Sequence, residues 1–331
     1  WTDIIRYPLG TSQEIVRGAA PTTGLKNPRL KWEAVKMWNA GLDMAFLNNS
    51  FQANIDVFYK NSSDMLLRAP IPALSGITNA PFYGIPSLFV NAGNVVNKGI
   101  ELGVTYRNDK NALKYSISPN ITYIRNEVTA LPFGAIQSTY NLTDIGHPIG
   151  SFYGYVTDGI ITQPSSVTGY YDANATGSNT PTVGDQKFKD LDGDGKITDR
   201  DRTFLGKPIP TWSYGLNMNA SYKGFDFRIF FQGIADIDIF NDQRRALEGM
   251  RGANGTPPDA NQLKTVLNAW SPTNTGSDIP APRQGDVAQN SRISDRWVED
   301  ASFIRLKSVQ LGYTLPESFL KKLTSSEDGI T

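Results

Sequence analysis

Apolar and polar residues alternate in several segments of the chain, most clearly from Trp212 to Gln232. Apolar residues occupy every second position as far as Tyr222, and the alternation resumes at Phe225. A period of two predicts strands, because successive side chains leave a pleated backbone on opposite sides. The pair Lys223-Gly224 between the two runs predicts an antiparallel hairpin. One face of this hairpin is then apolar with aromatic ends, and the other is small and polar.

The same alternation recurs elsewhere and predicts about seven strands in an all-β chain. We place the strands near 34–46, 51–60, 99–107, 112–124, 212–222, 225–233 and 303–315. Long loops are predicted at 61–98, 125–210 and 234–299, and residues 1 to about 33 are also predicted as loop because Gly and Pro punctuate them.

Strand length and connection length favour a membrane barrel over a soluble β-sandwich. Trp212 and Tyr222 are ten positions apart, which is roughly 34 Å along a strand and, at a tilt of about 40°, roughly 26 Å of height. Short turns near 48, 109 and 223 alternate with the long loops, as the two ends of an outer-membrane barrel require. Compact soluble domains favour short connections throughout.

Seven strands do not make a closed barrel of the bacterial single-chain type, which has an even number of strands from eight upward. An isolated arc would leave unpaired strand edges in lipid. We therefore expect a transmembrane antiparallel β-barrel segment, an arc of a larger barrel, that belongs to a longer polypeptide.

Composition excludes several classes of function. Lys plus Arg and Asp plus Glu both number 32, so the net charge of +0 argues against nucleic-acid binding by bulk electrostatics. There is no cysteine for a disulfide framework or a thiolate zinc site, and there is one histidine. The chain shows no nucleophile–base pairing and no phosphate-binding loop, so we predict that it is not an enzyme. A glycosidase needs two carboxylates about 5–9 Å apart, and the sequence neither shows nor excludes such a pair.

The segment from Asp190 to Asp201, the Asp loop, fits a twelve-residue calcium-binding loop. Calcium prefers six to eight oxygen ligands, and this spacing wraps one segment around the ion. The predicted ligands are the carboxylates of Asp190, Asp192 and Asp194 at loop positions 1, 3 and 5, the backbone carbonyl of Lys196 at position 7, and Asp201 at position 12. Ile197 is expected to anchor the loop in a small apolar contact. The predicted ion is structural Ca²⁺, and the alternative is a solvated loop without an ion.

Other candidates carry less chemical information. His147 alone is expected to be a hydrogen-bonded loop residue rather than a ligand. Four loop tyrosines either stack on a sugar or peptide or pack the loop itself: Tyr153, Tyr155, Tyr170 and Tyr171. Six charged residues are in phase with the polar face and either line a solute path or simply face water: Asp43, Asp56, Glu101, Arg107, Asp226 and Arg228.

Several consecutive motifs resemble SusC/RagA-type TonB-dependent outer-membrane transporters. They are residues 27–67, the motif NAGNVVNKGIELGVTYR, the motif GHPIGSFYGYVTDGI, residues 188–233, and the motif SDRWVEDASFIRLKSVQLGYTLPESFLKKL. They occur in the family's order and cover nearly all of the chain from about Asn27. The family's Asp-rich loop maps onto Asp190, Asp192, Asp194 and Asp201.

The resemblance implies a barrel of 22 strands in the cell outer membrane, plugged from inside by an N-terminal domain that this chain does not contain. It implies import of a glycan or peptide, energised by TonB, together with a SusD-like surface lipoprotein. The expected function is therefore TonB-dependent nutrient uptake. The alternative is a soluble, secreted, calcium-binding β-rich module for adhesion or carbohydrate binding.

Overall fold

A computed structural model describes residues 3–9, 14–20, 27–69, 88–163, 171–172, 181–249, 262–283, 286 and 288–317. Its strands, in chain order, are β1 (Asp3–Leu9), β2 (Glu14–Ala20), β3 (Ala34–Phe46), β4 (Phe51–Ala69), β5 (Leu88–Asn108), β6 (Leu113–Ala130), β7 (Ile136–Gln137), β8 (Asn141–Thr143), β9 (Ser151–Tyr155), β10 (Thr157–Ile160), β11 (Tyr171–Asp172), β12 (Gln186–Phe188), β13 (Lys196–Ile197), β14 (Arg202–Gly206), β15 (Trp212–Tyr222), β16 (Phe225–Ala235), β17 (Asp238–Phe240), β18 (Val298–Asp300) and β19 (Phe303–Tyr313). The helices are α1 (Asp242–Glu248) and the 3-10 turns Asp199–Asp201, Lys264–Asn268 and Asp295–Trp297.

Seven strands form one antiparallel sheet in the order β19-β16-β15-β6-β5-β4-β3, with β3 and β19 at its edges. This confirms the seven-stranded arc predicted from the alternation. The hairpin of β15 and β16 pairs Tyr222 with Phe225. Lys223 and Gly224 both have positive φ, 48° and 86°, which matches the two-residue hairpin turns that follow the twist of the strands. Short turns connect the strands at one end and long segments connect them at the other, and we call these two ends the turn-side and loop-side edges.

One face of the sheet is apolar and uncovered in the part of the chain that the structure describes. Trp38 and Leu42 are 77% and 58% exposed, and Leu311 is 74% exposed. This face, the apolar face, is bounded by two aromatic belts. The turn-side belt comprises Phe46, Phe51, Tyr106, Tyr115, Tyr222, Phe225 and Tyr313, and the loop-side belt comprises Trp38, Tyr59, Tyr123 and Trp212. No second sheet or helix among the described residues packs on it, as the barrel prediction requires.

The opposite face, the polar face, carries small and polar side chains at close cross-strand contact. Gly99 lies beneath the ring of Phe58, where an added Cβ would come within 2.7 Å of a ring carbon and would also meet the Tyr123 carbonyl oxygen. Hydrogen bonds link neighbouring strands across this face, such as that from Thr105 to Ser118 at 3.0 Å. The face is therefore close-packed at the backbone and polar at its surface.

Three predicted boundaries are wrong because the period-two pattern breaks where the strands continue. β4 runs to Ala69, β5 begins at Leu88 and β6 runs to Ala130, well into the predicted loops 61–98 and 125–210. The pairing register shifts between Ser62 and Met65 and between Asn94 and Val95, which hides the alternation. The extensions are also packed on a small core of Val95, Val128 and Leu131 with Met65, Leu67 and Ile149, rather than half-exposed.

The N-terminal prediction of a loop is also wrong, because β1 and β2 pair antiparallel from Asp3–Ala20 to Leu9–Glu14. Pro8 and Gly18 interrupt the apolar pattern that a strand needs for recognition from sequence. The long loop predicted at 234–299 also contains regular structure, since α1 and most of the β17–β18 pair lie there.

The long segments fold into a compact structure outside the seven-stranded sheet, which we call the external structure and which has an interior of its own. Ile161, Phe188, Ile197 and Trp297 are at most 1% exposed. Short sheets, β14-β9-β8-β7, β10-β12 and β11-β13, lie in the described parts of residues 136–206. No helix among the described residues is long and apolar enough to span a membrane.

Candidate functional site

The Asp loop connects β12 to β14 and is folded by its own carboxylates. The Asp190 carboxylate accepts hydrogen bonds from the amides of Gly193 (2.7 Å) and Gly195 (2.8 Å). Both glycines have left-handed φ, 77° and 80°, which glycine adopts without a steric cost. Asp192 accepts from the Asp194 amide (3.1 Å). The aspartates therefore act as turn formers that curl the backbone around one point.

Three of the predicted ligands converge on that point. One carboxylate oxygen from each of Asp190, Asp192 and Asp194 lies within 4.8 Å of the others. Hydrogen bonds from the backbone amides, above all from Gly195, hold the pKa of Asp190 below its usual value. The lowered pKa favours the ionised carboxylate, which is the form that binds a cation.

Asp201 occupies a different place from the other three aspartates. It is fully buried, and its carboxylate accepts from the amides of Leu191 (2.8 Å) and Thr198 (2.6 Å). It thus joins the two ends of the Asp loop. Lys196 begins β13, and its amide donates to Asp194 at 2.8 Å. The donor set at the point of convergence consists of hard carboxylate oxygens, which is the chemistry that Ca²⁺ prefers.

An apolar contact anchors the loop, as predicted for Ile197. Its side chain is 1% exposed and packs in one cluster with Tyr155 and Phe188. The Tyr155 hydroxyl donates to Asp199 at 3.0 Å, and Arg202 pairs with the same carboxylate at 2.7 Å. Burial raises the pKa of Tyr155. Arg202 therefore directs its charge to Asp199 rather than to the three converging aspartates.

The remaining loop candidates pack the external structure. His147 stacks on Phe204, with ring centroids 3.5 Å apart, and Tyr153 contacts Phe204 edge-on at 5.4 Å. Tyr155 contacts Phe188 at 5.6 Å. Tyr170 lies outside the described residues, and so does the side chain of Tyr171.

The six charged residues that were predicted on the polar face lie on strands of the large sheet or at their ends. Asp56 is directly opposite Glu101, and Arg228 donates to Asn219 at 2.9 Å. Arg107 lies 3.9 Å from Asp109. At the turn-side edge, Arg107, Asp226 and Arg228 border a cavity of about 200 Å³.

Buried polar residues in the external structure were missed by sequence reasoning. Asp185 is fully buried and pairs with Arg283 at 2.9 Å, while Asn290 donates to it at 3.1 Å. Glu248 pairs with both Arg244 and Arg296. Asp185 and Arg283 are 98 positions apart and Glu248 and Arg296 are 48 apart, so no local pattern identifies these two pairs, whereas Arg244 and Glu248 are one helical turn apart on α1. They hold the long segments in one arrangement.

Comparison with known proteins identifies a family. The family described as "TonB dependent receptor-like, beta-barrel" matches residues 4–241. TonB-dependent receptor P3 of Formosa agariphila is 35% identical over 312 residues, which are 91% of this chain and 29% of that protein. TonB-dependent receptor SusC of Bacteroides thetaiotaomicron is 27% identical over 304 residues, 87% of this chain and 26% of that protein. The chain thus spans less than a third of the length of these two relatives.

A solved structure shows the same fold. The chain is similar to a chain of the RagAB peptide transporter, with a TM-score of 0.71 and 26% identity over 96% of this chain and 32% of that one. The RagAB peptide importer in its "open-open" state gives a TM-score of 0.70 at 25% identity.

Proposed function

The chain belongs to the TonB-dependent receptor-like β-barrel family, and from this premise we propose that it forms the wall and external loops of an outer-membrane nutrient importer. The cargo is an oligosaccharide or a peptide. TonB energises passage through a part of the polypeptide outside this chain, and a SusD-like lipoprotein covers the external mouth. The residues of this chain break no bond in the cargo.

The uncovered apolar face carries the proposal. Its two belts are separated on β15 by the ten positions from Trp212 to Tyr222, close to the apolar band of about 25 Å in outer-membrane barrels once tilt is included. The polar face then lines an enclosed aqueous passage. The alternative, a soluble adhesion or carbohydrate-binding module, would expose this apolar face to water, and soluble monomers rarely expose an apolar patch of this size.

Both cargo classes are proposed because the similar proteins include SusC and a structure titled as a peptide transporter. An uptake experiment decides between them. Cells with and without the complete polypeptide are supplied with labelled oligopeptides or labelled oligosaccharides, and a strain lacking TonB is the control. Uptake of one class, dependent on both the polypeptide and TonB, supports the proposal. A polypeptide that stays monodisperse without detergent, or uptake of neither class, overturns it.

The proposal includes a structural Ca²⁺ in the Asp loop. The convergence of Asp190, Asp192 and Asp194 and the lowered pKa of Asp190 support it. The residues that would hold the ion are these three, with the carbonyl of Lys196. Asp201 braces the loop from inside, and direct ligation by it remains a prediction. The ion would hold an external loop in one shape.

Calcium titration of the complete polypeptide tests this part. The double variant Asp192→Ala/Asp194→Ala is expected to lose binding of the ion that a chelator removes from the parent. The control is Asp278→Ala, which removes an exposed carboxylate of the external structure outside the loop. An unchanged titration in the loop variant contradicts the calcium site while leaving the importer proposal intact.

A further inference from the structure

Three basic residues lie in phase with the apolar face at its loop-side limit. Lys36 is the next residue in phase after Trp38 on β3, Lys98 after Ile100 on β5, and Arg125 after Tyr123 on β6. Lys98 and Arg125 are paired directly and lie level with Tyr59 and Trp38, whereas Lys36 is level with Asn61, one row further out and two strands from Lys98. Since alternate residues share a face, the three side chains point the same way as the aromatic belt. All three residues are exposed, and we call them the basic row.

The turn-side limit of the same face has a different composition. The next residue in phase after Tyr106 is the uncharged Asn108. The turns at that edge contain Asn48, Asn49, Lys110 and Lys223, and Asp109 lies 3.9 Å from Arg107. Basic residues in phase with the apolar face therefore extend it on the loop side, whereas the basic residues on the turn side, Lys110 and Lys223, lie in the turns.

The basic row is incompletely neutralised by the protein. Arg125 pairs with Glu127 at 3.2 Å, but among the described residues no carboxylate lies within the 4.0 Å ion-pair distance of Lys36 or Lys98. Lys98 and Arg125 are directly opposite each other on β5 and β6. Like charges in this cross-strand position destabilise a sheet. An anion bound between them would turn this repulsion into attraction.

The surroundings of Arg125 leave room for a head group. Arg125, Tyr123 and Trp212 line a cavity of about 420 Å³ between β6 and the start of β15, together with Lys207 and its partner Asp236, while Lys98 lies on the other side of Arg125, on β5. The rings of Tyr123 and Trp212 are 4.8 Å apart, and aromatic residues of such belts lie at the level of lipid head groups. The apolar residues Ile100, Leu102 and Ile121 continue from the row toward the middle of the face and offer a track for acyl chains.

We propose that Lys98 and Arg125 bind a phosphate group of a phosphorylated glycolipid in the outer leaflet, of the lipopolysaccharide type, and that Lys36 adds positive charge to the same side of the face. Arginine offers a planar pair of donors to phosphate oxygens, and lysine adds a point charge. The long-loop edge is the external one in barrels of this kind, so the row meets the outer leaflet. The inference rests on the membrane placement proposed above.

A lipid-binding experiment on the complete polypeptide tests the proposal. The polypeptide is reconstituted in nanodiscs of phosphatidylcholine, and binding of bis-phosphorylated lipid A, dephosphorylated lipid A and phosphatidylglycerol is measured by native mass spectrometry. The double variant Lys98→Gln/Arg125→Gln is compared with Lys110→Gln/Lys223→Gln, which removes two basic residues from the opposite edge. At the strength expected for basic residues near an anionic surface, the first variant binds bis-phosphorylated lipid A about 30-fold more weakly, and the second binds as the parent does.

Three outcomes overturn the proposal. They are equal binding of phosphorylated and dephosphorylated lipid A, unchanged affinity in the Lys98/Arg125 variant, and phosphatidylglycerol binding as tight as that of lipid A. Each occurs with the polypeptide inserted in a bilayer, so each refutes the phosphate site alone. Failure of the parent to insert at all would refute the membrane placement instead.

Discussion

Replacing neighbouring residues of β15 by arginine tests which face meets hydrocarbon. Met218 lies on the apolar face opposite Ile117 and Ile229, whereas Asn217 lies on the polar face opposite Ser118 and Phe230. The two residues are adjacent in sequence and equally deep in the sheet. Met218→Arg and Asn217→Arg therefore differ chiefly in the direction of the new charge.

The expected loss of stability depends on how deep in the bilayer the new arginine lies. Met218 is six positions from Trp212 and four from Tyr222, roughly 20 and 14 Å along the strand. An arginine on the lipid side costs about 2–4 kcal/mol near the bilayer midplane and about 0–1 kcal/mol near the interface. Met218→Arg should therefore lower the free energy of unfolding by about 2–4 kcal/mol. Ala220→Arg, two positions from Tyr222, should cost about 1 kcal/mol, and Asn217→Arg, facing water, within about 0.5 kcal/mol.

The measurement is equilibrium unfolding by denaturant of the complete polypeptide in lipid vesicles, with heat-modifiable gel mobility to confirm insertion. The same variants in a detergent-free buffer serve as a control for aggregation. If Asn217→Arg costs as much as Met218→Arg, or if Ala220→Arg costs as much as the central variant, the assignment of the apolar face to lipid is refuted.

Three further predictions follow from the same structure. Asp201→Ala removes the acceptor of the Leu191 and Thr198 amides, so hydrogen exchange at these two amides should accelerate roughly 30- to 100-fold, and unchanged exchange would contradict the bracing role. Gly99→Ala forces a methyl group against the Tyr123 carbonyl and the Phe58 ring and should destabilise the barrel by about 1–3 kcal/mol in chemical unfolding, whereas Gly276→Ala, with open space around its added Cβ, should be neutral. The hydrogen bond from Lys207 lowers the pKa of Asp236, and the hydrogen bonds from Asn241 and Arg244 lower that of Glu299. The stabilising contribution of these two carboxylates is therefore present above the usual carboxyl pKa and is lost as the pH falls through their lower pKa values in the folded protein. The thermal midpoint of the external structure should drop between about pH 4 and pH 2, and Lys207→Met should weaken that drop. A midpoint independent of pH would contradict this reasoning.

Local sequence patterns predicted most of the strands of the large sheet. The limits of β15 agree with the alternation of Trp212 to Tyr222, because a half-exposed strand repeats its side-chain environment every two residues. The turn at Lys223-Gly224 was equally visible, since positive φ selects glycine at that position. The predictions failed where the pattern was broken by a bulge, near Ser62 and Asn94, or by Pro8 in the N-terminal pair.

The candidate site was likewise predictable only where its contacts are local in sequence. The spacing of Asp190, Asp192 and Asp194 specified their convergence, because the loop folds on hydrogen bonds within a few residues. The burial of Asp201 and its use as a brace were not readable from spacing, nor was the pairing of Arg202 with Asp199 under the Tyr155 ring.

The sequence by itself determined the central parts of the wall strands, their two faces and the short turns, since each depends on residues that are close together in the chain. The family resemblance rests on several motifs in one order along the chain. Only the tertiary structure decided how the long segments fold. Their interior is held by contacts such as Asp185 with Arg283 and Glu248 with Arg296, whose partners are far apart in the chain. It also decided that Lys98 and Arg125 meet across two strands. A pairing of this kind is set by the register of the whole sheet, and a local pattern does not encode that register.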